Sequence, residues 1–178
     1  MSERAWLFEH PLVQVDTVPV QTPGGLRHHI RLHLGDWVNV VAVHHEKGRR
    51  SVVLVRQPRS GAGVETLEIP GGGINPGEDP AHAALRELRE ETGYGPAPGV
   101  HPVSLGWVWS NPAIQTNRTY LFLVEPVERT GEPDPDPGED IVVESAAVQD
   151  IETLLDTGRI DHSLAVVSLE RALRRGLL

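Results

Sequence analysis

A chain of 178 residues without cysteine can form no disulfide, thiolate nucleophile or cysteine-held metal cluster, yet it is long enough to bury a substantial core. No apolar run approaches the roughly 18 residues of a membrane span, and the start lacks the basic and apolar regions of a secretory leader, so residence in the cytoplasm is expected. A formal charge of −9 argues against a nucleic-acid partner, which needs a basic footprint, but not against a small anion, because bound metal ions reverse the local sign.

Residues 1–36 read as a small extended N-terminal β unit. Leu12–Val20 alternates, Thr22-Pro23-Gly24-Gly25 makes a turn, and Leu26–Leu34 resumes as a strand. The core of such a hairpin would be thin, so it is expected to pack on the main body or on a partner chain. His28, His29 and His33 suggest metal ligands, but alternation sends His28 and His29 to opposite faces, which favours plain sheet-face roles.

Residues 37–178 read as the main domain. Trp37–His44 (WVNVVAVH) is a near-continuous apolar run of strand length, suited to a central strand. Ser51–Arg56 (SVVLVR) follows after a turn at Glu46-Lys47-Gly48, making a hairpin. Arg56, Gln57 and Arg59 then sit at a strand end, opening a loop with Ser60, Gly61 and Gly63, where arginines could receive phosphates bidentately. Val64–Ile69 is a third short strand. It feeds Pro70-Gly71-Gly72-Gly73, whose glycines let backbone approach a ligand and present carbonyls to a metal.

Asp79 is a good N-cap, Pro80 suits the first helical position, and Gly93 stops the helix they begin. On a wheel of about 100° per residue, Glu87, Glu90 and Glu91 fall within about a quarter-turn, beside an apolar stripe of Ala81, Ala84, Leu85 and Leu88. Carboxylates that close repel one another. A hard divalent cation makes the cluster favourable, and Mg²⁺ held by few carboxylates completes its shell with waters and substrate phosphates.

Beyond the helix, Val103–Trp109 and Thr119–Val127 are strands joined by Ser110–Arg118, a polar connection of the kind that selects substrates. Residues 131–140 (GEPDPDPGED) can be neither helix nor central strand. They form a mobile acidic loop or a flap that brings Glu139 or Glu144 to the site. Ile141–Val148 is a last strand, Asp150–Leu155 a short helix stopped near Gly158, and His162–Leu173 an amphipathic helix with Leu164, Val167 and Leu169 in the core. Lys47 is the only lysine, so there is no P-loop, and neither HExxH nor the dinucleotide glycine fingerprint occurs.

From Gly72 the chain runs five residues to Glu78, seven more to Arg86-Glu87, then Leu88-Arg89-Glu90-Glu91-Thr92-Gly93-Tyr94. This resembles the Nudix box, and every fixed position of that motif is met. The flanks, Leu54–Gly72 and Asp150–His162, are similar to those of ADP-ribose pyrophosphatases. The resemblance implies an α/β fold, the Nudix α/β/α sandwich with a mixed sheet. It implies that the N-terminal unit serves dimerisation and the adenosine pocket, hence a homodimer. It implies that Glu87, Glu90, Glu91 and the Gly71 carbonyl bind Mg²⁺, or Mn²⁺ in its place. Glu78 and Arg86 would orient the helix by pairing, with Gly72 and Gly93 as the box's fixed glycines.

Within the same resemblance Arg59 contacts substrate, with Arg56 and Arg118 as further candidates, and Glu139 is a metal ligand or the general base. The implied reaction is hydrolysis of the diphosphate linkage of a nucleoside diphosphate sugar, first of all ADP-ribose to AMP and ribose 5-phosphate. GDP-mannose, a nucleoside triphosphate, and a non-catalytic nucleotide-binding role are the alternatives. One departure is Pro112, which lies 18 residues past Tyr94, later than the proline usual in ADP-ribose pyrophosphatases.

Overall fold

The computed structural model describes residues 5–178. β1 (Ala5–His10), β2 (Val13–Thr22) and β3 (Gly25–His33) form a separate antiparallel sheet in that order. Its apolar residues do not make a core: Leu7, Phe8, Leu12, Leu26 and Ile30 are all exposed. Among its described side chains only Asp16 is buried. Arg31 donates to both oxygens of Asp16, at 3.0 and 2.7 Å, and His33 Nε2 lies 3.2 Å away. The Arg31 hydrogen bonds hold the Asp16 carboxyl down to about 2. His33 therefore meets a carboxylate and the ring of Trp6, in keeping with a sheet-face role.

β4 (Trp37–Glu46) and β5 (Arg49–Arg59) make the expected hairpin, and β6 (Val64–Glu68) folds back on β5. After α1 (Pro80–Thr92) come β7 (Tyr94–Pro96), β8 (Val103–Trp109), β9 (Arg118–Arg129) and β10 (Val142–Ala147). A 3-10 turn, Val148–Asp150, leads into α2 (Ile151–Asp156), and α3 (Ser163–Arg174) follows. The main sheet runs β10-β5-β4-β9-β7, with β6 also on β5 and β8 also on β9. β4 and β9 are parallel and the other pairs antiparallel, so the sheet is mixed.

Strand alternation divides the apolar residues between two faces. Val38, Val40, Ala42, Phe122 and Val124 pack against Ala83, Ala84 and Leu88 of α1. Val41, Val43, Val52, Leu54, Leu121 and Leu123 pack against Ile151 of α2 and Ala165, Leu169 and Ala172 of α3. Each large aliphatic side chain so buried stabilises the fold by about 1.5–3 kcal/mol. Buried on both faces, β4 reads as a continuous apolar run for the reason expected. Helices on both faces make an α/β/α sandwich.

Two boundaries that bear on candidate arginines differ from expectation. β5 continues through Arg59 instead of opening a loop after Arg56, because β6 pairs with residues 55–59 on one side and β10 reaches Arg56 on the other. Arg118 opens β9 rather than closing a loop, facing Trp109 across the β8 pairing. The N-terminal sheet meets this body where Leu32 N–H donates to Ile114 O and Thr116 N–H to Leu32 O. Asp36 also accepts from the Arg118 N–H at 2.7 Å. Among the described residues, no helix is long and apolar enough to cross a membrane.

Candidate active site

Local signals start and stop α1 as the residues suggest. Asp79 Oδ1 accepts from the N–H groups of Ala81 and His82 at 2.9 and 3.2 Å. Gly93 adopts φ 71° and returns its N–H to Arg89 O. Seating Ala83, Ala84 and Leu88 on the sheet turns the next stripe of the helix toward residues 70–73. That stripe holds Glu87, half-exposed Glu90 and buried Glu91.

The glycines at 71 and 72 answer to close approach rather than to unusual φ. The carbonyls of Pro70 and Gly72 accept from Val40 and Val38 N–H, laying this segment along β4. A Cβ on Gly71 would fall 2.2 Å from Val38 O, and one on Gly72 would fall 2.6 Å from the Glu87 carboxylate. On its other edge, Gly71 N–H donates to Glu91 Oε2 at 2.9 Å.

Arg86 organises the acidic groups. It grips Glu78 through Nε and Nη2 at 2.9 and 3.0 Å, donates from Nη1 to Glu87 and Glu90 at 2.8 and 2.9 Å, and reaches Gly73 O. The Arg86 hydrogen bonds, helped by Asn75 N–H, hold Glu78 down to about 2. Burial dominates at Glu87, whose carboxyl is pushed up although Arg86 opposes it. At Glu91 burial is again the largest cause. The Gly71 N–H opposes it, the charges of Glu87 and Glu139 add to it, and the carboxyl rises to about 8.

Among the described residues, no three carboxylate or imidazole groups already converge as the ligands of one metal, since Arg86 draws Glu87 and Glu90 to itself. The donor set nevertheless fits a hard divalent cation. Glu91 is a buried carboxylate with a single hydrogen bond, and Glu87 is a second desolvated one beside it. Such groups are costly without a neutralising charge, and oxygen donors suit Mg²⁺ or Mn²⁺.

The three arginines singled out in the sequence lie apart. Arg59 spreads its Nε and Nη2 over both oxygens of Glu68, at 2.7 Å each, and lies within electrostatic range of Glu91 and Glu139. Arg56 pairs with Glu144 at 2.6 Å, and Glu144 lies in β10 opposite Leu54, outside the acidic loop. Arg118 lies over the exposed rings of Trp107 and Trp109, 4.7 and 5.1 Å from their centroids, a cation–π arrangement.

The acidic loop is tied down at its start. Gly131 N–H donates to Gly93 O and Asp134 N–H to Glu90 O. Its later part is exposed, and Glu139 closes a local turn with Asp136 while its charge reaches Glu87 and Glu91.

Glu68 went unnoticed in the sequence. It is 1% exposed and accepts from Thr66 Oγ1 at 2.5 Å as well as from Arg59. Alternation was the available signal: Arg59, Thr66 and Glu68 share one face of the β5–β6 pair, and a charged residue between Leu67 and Ile69 needs a partner. His162 and the Trp107–Trp109 pair gave no such signal, since their neighbours come from distant segments.

A carboxylate-bearing helix seated on a glycine segment at the edge of an α/β/α sandwich defines a class of protein. The NUDIX domain family model matches residues 34–166, and the chain belongs to this family. Its fold is that of a solved "ADP compounds hydrolase", with a TM-score of 0.80 over 99% of this chain and 95% of that one at 19% identity. It is 50% identical over 64 residues to the ADP-sugar pyrophosphatase of Mus musculus, covering 33% of this chain and 28% of that protein. It is 36% identical over 90 residues to the ADP-ribose pyrophosphatase of Bacillus subtilis (strain 168), covering 49% and 46%. The matched stretches span less than half the length of these curated relatives.

Proposed function

We propose that the chain is a divalent-metal-dependent hydrolase of the diphosphate linkage in nucleoside diphosphate sugars, with ADP-ribose, cleaved to AMP and ribose 5-phosphate, as the leading substrate. The observation that carries this reading is buried Glu91 and partly buried Glu87 set against the Gly71–Gly72 backbone. The names of the pyrophosphatase relatives support the substrate class. Glu87, Glu90, Glu91 and the Gly71 carbonyl hold the cation, Mg²⁺ or Mn²⁺. When bound it supplies charge to the diphosphate oxygens and lowers the pKa of water.

Arg59 receives a phosphate through the donors that Glu68 leaves unused. Glu139, exposed and within electrostatic reach of Glu87 and Glu91, takes the proton of the attacking water. Water adds to one phosphorus in line, the bridging P–O bond breaks, and two phosphomonoesters leave. The exposed apolar residues of the N-terminal sheet support a homodimer, in which this sheet is the pairing unit and the main domain carries the chemistry.

The test is a panel of diphosphate compounds with Mg²⁺, read by chromatography. Release of AMP and ribose 5-phosphate from ADP-ribose is expected. Cleavage confined to nucleoside triphosphates, or none at high enzyme, would overturn the reading.

A further inference from the structure

A second buried carboxylate, away from α1, is enclosed by the neighbouring strands β5 and β6 and by the distant helix α3. Glu68 of β6 is held by Arg59 of β5 through two 2.7 Å hydrogen bonds and by Thr66 at 2.5 Å. On the remaining side stands His162, whose buried Nδ1 lies 3.1 Å from Glu68 Oε2, the nearest charge to it, in a contact whose angle falls short of a hydrogen bond. His162 occupies the N-cap position of α3 yet makes no side-chain capping bond, and its imidazole lies against Glu68 instead. α3 is anchored by Leu164, Ala165 and Leu169 in the core. The imidazole is therefore delivered from a rigid element.

Glu68 is 1% exposed and the Arg59 side chain 40% exposed. The guanidinium is thus pinned by Glu68 and still partly open to solvent, within electrostatic range of Glu91 and Glu139. A guanidinium fork clamped on one edge loses little further freedom when its other edge binds phosphate. Burial pushes the His162 imidazole down, which leaves it neutral beside an ionised Glu68 and adds no competing cation for the carboxylate.

Resting on the reading of Arg59 as a phosphate contact, we propose that His162 is a positioning residue. It closes the Glu68 clamp and so fixes the angle at which Arg59 meets the substrate diphosphate. The C-terminal helix becomes part of the substrate-binding apparatus without touching substrate.

The test compares His162→Ala, His162→Gln, Arg59→Ala and the Ala double variant in the full chain. With ADP-ribose and saturating Mg²⁺, His162→Ala should raise KM about tenfold with kcat nearly unchanged, the pattern of lost uniform binding. The Mg²⁺ midpoint and Tm should not move, and His162→Gln should recover most of the KM. In the Arg59→Ala background, removing His162 should cost nothing more, whereas additive KM effects would overturn the proposal. A lowered Tm with unchanged KM would equally overturn it and leave His162 merely structural.

Hydrogen exchange of the Arg59 Nε–H, followed by NMR, needs no substrate. It should quicken about tenfold in His162→Ala as the clamp opens more often. Unchanged exchange sinks the clamp even if the enzyme is active, and faster exchange upholds it even if ADP-ribose proves not to be cleaved.

Discussion

Glu91 of α1 and Glu68 of β6 are both buried, at 2% and 1% exposure, and their environments drive them in opposite directions. Burial pushes Glu91 up to about 8, because one backbone N–H is its only hydrogen bond. Burial is the largest influence on Glu68 as well, yet the bonds from Arg59 and Thr66 together outweigh it and hold that carboxyl below its usual range. The lesson concerns what a buried carboxylate is for. One with its counter-charge built in is a fixed support, and one without it is a place where a cation is wanted.

The largest expected effect follows from removing the uncompensated member. Glu91→Gln should lower turnover of ADP-ribose at saturating Mg²⁺ by about a hundredfold or more, measured as initial rates across a Mg²⁺ titration. Near-wild-type turnover would break the metal assignment and with it the contrast.

The pH dependence of stability separates the two next. The native pKa of Glu91 lies above the unfolded value, so the stability it contributes is full below about 4.5 and is lost as pH rises toward about 8. The slope is at most about 1.4 kcal/mol per pH unit for one proton. Glu68 runs the other way, contributing above the unfolded value and losing that contribution in acid. Thermal melts in chelator from pH 5 to 8 should show Tm falling for the parent protein and flattening in Glu91→Gln. A melt that is flat for both would remove Glu91 from the account.

Breaking the compensated centre should cost less. Glu68→Gln leaves Arg59 with half its grip, and about 2 kcal/mol of stability should go. That figure sits below the range for severed buried pairs because the Arg59 side chain is partly in water. Denaturant unfolding reads it, and an unchanged midpoint would mean the clamp holds nothing. The smallest effect belongs to Arg56. Its pair with Glu144 is open to solvent on both sides, so Arg56→Ala should cost only about 0.5 kcal/mol. If it also leaves KM unchanged, Arg56 drops out of the substrate site.

Much of the scaffold was legible in the residues. The limits of α1 follow from Asp79, Pro80 and Gly93, and the centrality of β4 follows from its unbroken apolar run. These signals act within a turn or a strand and survive without their surroundings. β1 and β7 were not separately visible, because short strands at the rim depend on a partner for their definition. Ala83, Ala165 and Ala172 proved to be core because α1 and α3 lie close against the sheet, which a preference for large apolar residues overlooks.

Box spacing and local helix chemistry set out, in sequence alone, that Glu87, Glu90 and Glu91 share a stripe beside an apolar face, and hence that a cation is wanted there. Only the tertiary structure decided which of them is buried, that Arg86 draws in Glu87 and Glu90, and that Arg59 is already half engaged by Glu68. The division has a physical cause. Helical phase and capping are set by residues a few positions apart, whereas desolvation and ion pairing are set by whatever distant segment packs nearby. Glu91 meets Gly71 across 20 residues and Glu68 meets His162 across 94, distances along the chain that no local pattern spans.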